Sequence, residues 1–206
     1  MSPAPPIDFY FDFSSPYAYL AQFGIDRAAA AVGRTFRWRP FLLGAAFKLT
    51  GAAPLMTVPV KGEYARRDLS RRARALGLPF APGTPFPFLA LGPCRGFYIL
   101  DDADPAQAKR WAQRMFTAFF GEGATIDTAS AAVAAAGAWC AEEGVDSAAL
   151  EARMADVVVK DRLKRETATA IDRGVFGAPF FIVDGEPFWG FDAVEDAMRW
   201  AASGGW

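Results

Sequence analysis

The chain has 206 residues, of which 52% are hydrophobic, 15% aromatic and 22% charged, and its formal net charge is −1. These values are typical of a well-packed globular protein and give no support for nucleic-acid binding. The chain contains no histidine, which excludes Ser-His-Asp and Cys-His catalysis and every histidine-containing metal site within it. Cys94 and Cys140 fit neither a C-x-x-C motif nor a metal-binding spacing, so both are interpreted as buried or incidental thiols.

The start of the chain gives no sign of a targeting segment. Residues 1–6 contain neither a basic nor an apolar segment, and no stretch of the sequence approaches the length of a transmembrane span. We therefore expect a cytoplasmic protein with no membrane partner.

Residues 7–20 contain the first strand and the start of the first helix. Residues 7–13 are rich in β-forming side chains and predict a buried strand. Ser14 and Ser15, followed by Pro16, are typical of a helix N-terminus, where a hydroxyl accepts from free backbone N–H groups. Small and apolar residues at helical spacing then predict one helix that ends near Gly33. This position suits an anion, although an ordinary helix cap explains the same residues.

The next part of the chain predicts a second strand and then helices. Residues 35–40 alternate aromatic and basic side chains and complete a βαβ unit, and a short helix is expected around residues 45–49. Residues 61–76 predict a helix with one apolar face. The opposite face is arginine-rich and is interpreted as solvated, with attraction of a small anion as the alternative. Its arginines are Arg66, Arg67, Arg71, Arg72 and Arg74.

The remaining chain predicts irregular structure, a helical block and a hairpin. Prolines in residues 78–98 indicate a long irregular connection. Helices are predicted over residues 105–121, 128–143 and 157–173, with Asp146 capping a further one. Residues 180–189, with Asp184-Gly185 at their centre, predict a β-hairpin. Asp192 and Glu195 then resemble a capping box at the start of a last helix.

This order, β-α-β, helical block, β-β-α, predicts an α/β protein with a thioredoxin-like fold and an inserted all-helical domain. We expect a discontinuous thioredoxin-like domain over residues 1–60 and 174–206, and an inserted helical domain over residues 61–173. Gly177-Ala178-Pro179 precedes the hairpin and occupies the place of the cis-proline of that fold.

Residues 8–21, 59–64 and 174–192 resemble the 2-hydroxychromene-2-carboxylate isomerases and the related kappa-class glutathione transferases. The resemblance covers nearly the whole chain and implies the DsbA/kappa type of thioredoxin-like fold. In related disulfide oxidoreductases a C-x-x-C pair begins where Ser15 stands here. Because both thiol positions are lost, thiol–disulfide exchange by the chain's own residues is excluded. The resemblance implies instead a glutathione-dependent isomerase in aromatic-compound degradation, a homodimer that acts on a small aromatic-derived substrate.

The resemblance also implies roles for residues at both ends of the chain. It implies that the Ser15 hydroxyl hydrogen-bonds the glutathione sulfur, which would favour the thiolate, while the neighbouring Ser14 is the alternative. It implies that the backbone of Ala178, next to Pro179, pairs with the cysteinyl residue of glutathione in the manner of an added strand.

Further residues match the family at positions around the cofactor and the substrate. Lys61 matches a lysine that contacts the glycyl carboxylate, and Phe191 and Asp192 lie at cofactor-binding positions near the γ-glutamyl end. A solvated lysine and a simple helix cap are the alternatives for Lys61 and Asp192. Lys48 and Arg95 match positions near the substrate's pocket, where positive charge would suit a carboxylate.

Three positions depart from the family pattern. Ala52 and Leu89 stand where asparagine is common, and Phe191 replaces a small polar residue. Each change removes a hydrogen-bonding side chain, and one such contact contributes about 0.5–1.5 kcal/mol. A kappa-like glutathione transferase and a non-catalytic thioredoxin-fold binding module are therefore the alternative functions.

Overall fold

The fold is built on a four-stranded mixed sheet, seen here in a computed structural model in which residues 4–206 are described. The strands are β1 (Ile7–Phe11), β2 (Phe36–Pro40), β3 (Phe180–Val183) and β4 (Glu186–Trp189). Their order in the sheet is β2-β1-β3-β4. The pair β1–β2 is parallel and β3–β4 is antiparallel, as the βαβ unit and the hairpin predict, and β1–β3 is also antiparallel. Residues 1–3, part of the segment 1–6 considered above for targeting, lie outside the described residues.

The hairpin between β3 and β4 forms as predicted because its two turn residues suit the turn. Asp184 and Gly185 have φ angles of 52° and 96°, and the turn type that best matches strand twist requires positive φ at both central positions. The carboxylate of Asp184 also accepts two hydrogen bonds from Arg34, at 2.9 and 2.8 Å. This ion pair ties the hairpin to the segment that precedes β2.

Helices connect and cover the strands. α1 (Pro16–Ala21) and α2 (Ile25–Ala31) join β1 to β2, and α11 (Val194–Ser203) follows the hairpin. Between β2 and β3 the chain is helical: α3 (Leu43–Thr50), α4 (Lys61–Ala75), α5 (Leu91–Asp101), α6 (Pro105–Phe116), α7 (Ala129–Ala135), α8 (Gly137–Glu142), α9 (Ser147–Arg153) and α10 (Val157–Asp172). A π-helical turn, Thr117–Gly121, extends α6. None of the described helices has the length and apolarity needed to cross a membrane.

Several predicted element boundaries are wrong. The helix predicted after Pro16 is two helices separated at residues 22–24, and the helix predicted over residues 128–143 is broken at Ala136. Residues 91–98 are helical rather than irregular, because Pro93 lies in the first turn of α5, where backbone N–H groups need no helical partner. Asp192 makes no capping hydrogen bond, so the predicted capping box is wrong.

The core is aromatic and continuous from the sheet into the helices. The buried ring of Phe9 stacks on Phe181 with ring centroids 5.3 Å apart and meets Trp38 edge-on at 5.0 Å. The same buried cluster includes Trp111 and Phe116 of α6. Because one core joins both parts of the chain, the predicted division into two domains stays a prediction.

Replacing Phe9 by alanine should destabilise the fold strongly. The ring is fully buried against four aromatic neighbours, so its loss leaves a cavity that the sheet cannot close. We expect Phe9→Ala to lower the free energy of unfolding by about 3–5 kcal/mol, measured by urea denaturation. Leu49→Ala, at a side chain that is 73% exposed, serves as the control and should change it by less than about 0.5 kcal/mol. Equal effects of the two substitutions would contradict this account of the core.

Candidate functional site

A cavity of about 1020 Å³ lies beside the carboxyl end of β1. Its walls come from the β1–α1 connection, helices α3 and α4 with the connection between them, residues 86–89, the turn before β3, and the end of β4 with the segment after it. The volume matches the upper end of the range of ligand-binding pockets, about 300–1,000 Å³. The cavity also contains most of the predicted site residues.

Ser15 lies at the join between α1 and the turn before β3. Its hydroxyl accepts a hydrogen bond from the backbone N–H of Ala18 at 3.3 Å, which makes it the N-cap of α1. The same hydroxyl donates to the backbone carbonyl of Ala178 at 2.8 Å. The Ala178–Pro179 peptide bond is cis, as predicted, and so are Thr84–Pro85 and Phe86–Pro87. Ser15 is 4% exposed and is therefore held between two backbone segments.

The neighbouring Ser14 has a different partner. Its hydroxyl donates to the carboxylate of Asp12 at 2.8 Å, and its backbone N–H donates to the same oxygen. The second oxygen of Asp12 accepts from the backbone N–H of Leu43, which ties the β1–α1 connection to α3. Burial raises the pKa of Asp12 in spite of these hydrogen bonds. Ser14 and Asp12 thus form a local structural unit, which leaves Ser15 as the hydroxyl aimed at the turn before Pro179.

One face of α4 lines the cavity with polar side chains. Lys61, Tyr64, Asp68 and Arg72 are spaced by three, four and four residues, so they lie in one row along the helix. The predicted solvation of the arginine-rich face is correct for Arg66, Arg67, Arg71 and Arg74, which are exposed. It is wrong for Arg72, because this side chain turns towards the cavity.

A hydrogen-bonded network joins α1, α4 and the segment after β4. The Asp68 carboxylate, 5% exposed, accepts from the Tyr17 hydroxyl at 3.0 Å, from Arg72 at 2.7 Å and from Arg71 at 2.6 Å. The far end of the Arg72 guanidinium donates to both oxygens of Asp192, at 2.5 and 3.0 Å. Its plane lies over the ring of Phe191, 5.2 Å from the centroid. Arg72 is thus positioned between two carboxylates and one aromatic ring.

These contacts shift the titration of the groups involved. Burial works to raise the pKa of Asp68, but hydrogen bonds from Arg72, Tyr17 and Arg71 outweigh it and hold that pKa below its ordinary value. Burial, with the hydrogen bond to Asp68, raises the pKa of Tyr17 to about 12. The hydrogen bonds to Asp192 are the main reason that the pKa of Arg72 is raised. All three groups therefore keep their usual charge states at neutral pH.

The rest of the cavity wall is largely apolar. This apolar wall includes Phe47 on α3, residues 86–89, Phe176 and Trp189. The rings of Phe176 and Trp189 meet at 4.8 Å. Gly177 is required between them, because a Cβ there would lie 2.1 Å from the indole nitrogen of Trp189. This apolar wall suits a planar, hydrophobic ligand next to Ser15.

The structure brings together six of the eight predicted site residues. Those that line the cavity are Ser15, Lys61, Ala178, Pro179, Phe191 and Asp192. Lys48 and Arg95 do not line it, which corrects their expected placement. Lys48 is exposed, because its neighbour Phe47 is the residue of α3 that faces the cavity. Arg95 lies on α5, which packs in the helical core. Their part in substrate binding stays a prediction.

Other cavity residues bear on the departures noted in the sequence. Ala52 and Leu89 line the cavity, so both add apolar surface to it.

Cys94 and Cys140 are buried, as predicted, and burial raises the pKa of the Cys94 thiol far above its ordinary value. Sequence analysis missed Tyr17, Asp68 and Arg72. The spacing of Asp68 and Arg72 on α4 was visible, but the many arginines nearby hid it, and Tyr17 on α1 joins them only through the fold.

The family of the chain follows from comparison with known proteins. The model of the DSBA-like thioredoxin domain matches residues 6–199. A 2-hydroxychromene-2-carboxylate isomerase from Pseudomonas putida is 31% identical over 198 residues, 93% of each chain. A solved structure of a 2-hydroxychromene-2-carboxylate isomerase superposes with a TM-score of 0.82 at 30% identity and covers 95% of each chain. A glutathione S-transferase kappa 1 from Caenorhabditis elegans is 31% identical over 122 residues, 56% of this chain and 54% of that protein.

Asp68→Asn should destabilise the protein more at neutral pH than in acid. The folded-state pKa of Asp68 is lowered from 3.8, so its stabilising effect is complete above that value and is lost as the pH falls through the folded-state pKa. We expect a loss of about 1–3 kcal/mol in the free energy of unfolding at pH 7 and a smaller loss near pH 3. Denaturant unfolding at both pH values measures it.

The matched control for Asp68→Asn is Glu63→Gln. Glu63 lies on the same helix and pairs with Arg67, but its side chain is 59% exposed. An exposed pair contributes little, so we expect less than about 0.5 kcal/mol at either pH. An Asp68→Asn effect that does not change with pH would contradict the charge-based explanation.

Proposed function

We propose that this chain, which belongs to the DSBA-like thioredoxin domain family, is a glutathione-dependent isomerase of the 2-hydroxychromene-2-carboxylate type. The observation that carries the proposal is the hydrogen bond between the Ser15 hydroxyl and the Ala178 carbonyl at the cavity wall. A donor hydroxyl and a backbone acceptor lie side by side there, next to an apolar wall. This pair matches what a cysteinyl peptide needs, a donor for its sulfur and an acceptor for its N–H.

The charged and hydrogen-bonding groups of the cavity suit those of glutathione. The backbone of Ala178 can pair with the cysteinyl residue once the Ser15 hydroxyl leaves its carbonyl, and the exposed ammonium of Lys61 suits the glycyl carboxylate. Asp192, 77% exposed at the other end of the cavity, suits the γ-glutamyl ammonium. When bound, glutathione supplies a thiolate that can add reversibly to a conjugated double bond and so allow rotation about it.

In this proposal the chain's own residues hold the sulfur and exclude water. The Ser15 hydroxyl exchanges the Ala178 carbonyl for the sulfur as its hydrogen-bond acceptor. A donor to the charged form of a thiol lowers its pKa, so this exchange favours the thiolate near neutral pH. The apolar wall with Phe47, Phe176 and Trp189 would then hold an aromatic-derived substrate against the sulfur.

The second candidate function is a kappa-like transferase, which keeps the glutathione adduct as its product. The match to a glutathione S-transferase kappa 1 favours it. The proposal also includes a homodimeric, cytoplasmic enzyme of aromatic-compound degradation, as the resemblance implies. A binding module without catalysis is the outcome if neither activity is found.

Ser15→Ala should raise the pKa of the bound glutathione thiol. A hydrogen bond to a charged group contributes about 1.5–3 kcal/mol, which corresponds to a rise of about one to two pH units. The ultraviolet absorbance of the thiolate, followed against pH in the presence of saturating glutathione, measures this pKa.

Ser14→Ala is the matched control for Ser15→Ala. The Ser14 hydroxyl is engaged by Asp12, so we expect its loss to leave the thiol pKa within a few tenths of the wild-type value. If Ser14→Ala raised the pKa and Ser15→Ala did not, the assignment of the two serines would be reversed.

The isomerase and the transferase differ in their use of thiol. An isomerase regenerates glutathione in each cycle, so we expect many turnovers of 2-hydroxychromene-2-carboxylate per molecule of glutathione and no loss of free thiol. A thiol assay run alongside the ultraviolet record of substrate isomerisation makes the comparison. Loss of one thiol per substrate consumed would exclude the isomerase and support the transferase.

A further inference from the structure

The two cationic side chains that line the cavity lie towards opposite ends of α4. Lys61 lies in the first turn of the helix, and Arg72 lies eleven residues further on. At 1.5 Å per residue their Cα atoms are about 16 Å apart along the helix axis. Among the described residues, no other lysine or arginine lines the cavity. A bound molecule can therefore meet one isolated cation at one end and the Arg72–Asp192 ion pair at the other.

Arg72 is held in position and keeps donors to spare. Its Nε donates to Asp68, and its two terminal nitrogens donate to Asp192. A guanidinium has five N–H donors, so two N–H bonds are without a partner in the part of the chain that the structure describes. The Arg72 side chain is 28% exposed, whereas that of Asp192 is 77% exposed. Asp192 can thus adjust to a ligand while Asp68 and the Phe191 ring keep Arg72 in place.

We infer that Arg72 binds the α-carboxylate of the γ-glutamyl end of glutathione, while Asp192 binds its ammonium group. An α-amino acid group carries an ammonium and a carboxylate group on the same carbon, and an Arg–Asp pair offers the opposite charges side by side. The terminal N–H fork of Arg72 is taken by Asp192 here, so we expect the ligand's carboxylate to replace Asp192 at that fork as Asp192 turns to the ammonium group. This inference rests on the proposed use of glutathione, and it makes Arg72 a residue that determines specificity for the free α-amino acid end.

The test compares glutathione with a peptide that lacks the α-carboxylate. In this analogue 4-aminobutyrate replaces the γ-glutamyl residue, and the cysteinyl-glycine part is unchanged. Calorimetric titration gives Kd for both peptides on the wild type and on Arg72→Leu. We expect the wild type to prefer glutathione about tenfold or more, and Arg72→Leu to bind the two peptides with equal affinity.

Arg71→Leu is the matched control. Arg71 is adjacent on α4 and also pairs with Asp68, but its side chain is 58% exposed and does not line the cavity. We expect this variant to keep the wild-type preference. Arg72→Gln, which keeps a donor for Asp68 without the charge, should lose the preference as Arg72→Leu does, so the result does not depend on one variant that could misfold.

Two outcomes would overturn the inference and can be told apart. If the wild type binds glutathione with a lowered thiol pKa but Arg72→Leu and Arg72→Gln keep the preference, Arg72 is only a structural partner of Asp68 and the proposed function stands. If the wild type binds neither peptide at millimolar concentration, the inference and the proposed function both fail.

Discussion

The pairing of β1 with two neighbours is the constraint on which the rest of the molecule depends. β1 lies between β2 and β3, so its buried residues fix the sheet, and its carboxyl end fixes where α1 begins. The antiparallel register with β3 places the turn before that strand beside the end of β1. As a result Ser15 meets the Ala178 carbonyl although 163 residues separate them in the chain. The candidate site forms because β1 pairs with both β2 and β3, which brings the start of α1 beside the turn before β3.

The cavity combines a polar wall, which suits a peptide cofactor with a thiol, and an apolar wall, which suits an apolar substrate. The row from Lys61 to Arg72 on α4 gives a polar wall with charges at its ends, and Phe47, Phe176 and Trp189 give an apolar wall. Ser15 lies where the two walls meet. A hydroxyl at that point can hold a sulfur atom while one wall binds a peptide and the other an aromatic group. The absence of histidine and of a C-x-x-C pair is consistent with a reactive sulfur that comes from a cofactor.

Local signals predicted the parts of the fold and site that depend on neighbouring residues. Asp184-Gly185 specified the hairpin because the turn needs positive φ, and Ser15-Pro16 specified a helix start because of its capping hydroxyl. The parts that depend on distant residues could not be predicted in this way. The expected cap at Asp192 failed because Arg72, 120 residues away, takes its carboxylate. Arg72 itself was hidden among exposed arginines, since nothing local distinguishes the one that turns inward.

The measurement that tests the central claim most directly is the number of protons released when glutathione binds. A free thiol has a pKa of about 8.5 and is almost fully protonated at pH 7, so binding as a thiolate must release a proton. Calorimetric titrations at pH 7 in two buffers of different ionisation enthalpy give this number, with S-methylglutathione as the control. A fall of the thiol pKa from about 8.5 by one to two units predicts release of roughly 0.2–0.7 proton per glutathione at pH 7, and none for the control. Tight binding of glutathione without proton release would contradict it, because Ser15 would then not be stabilising a thiolate.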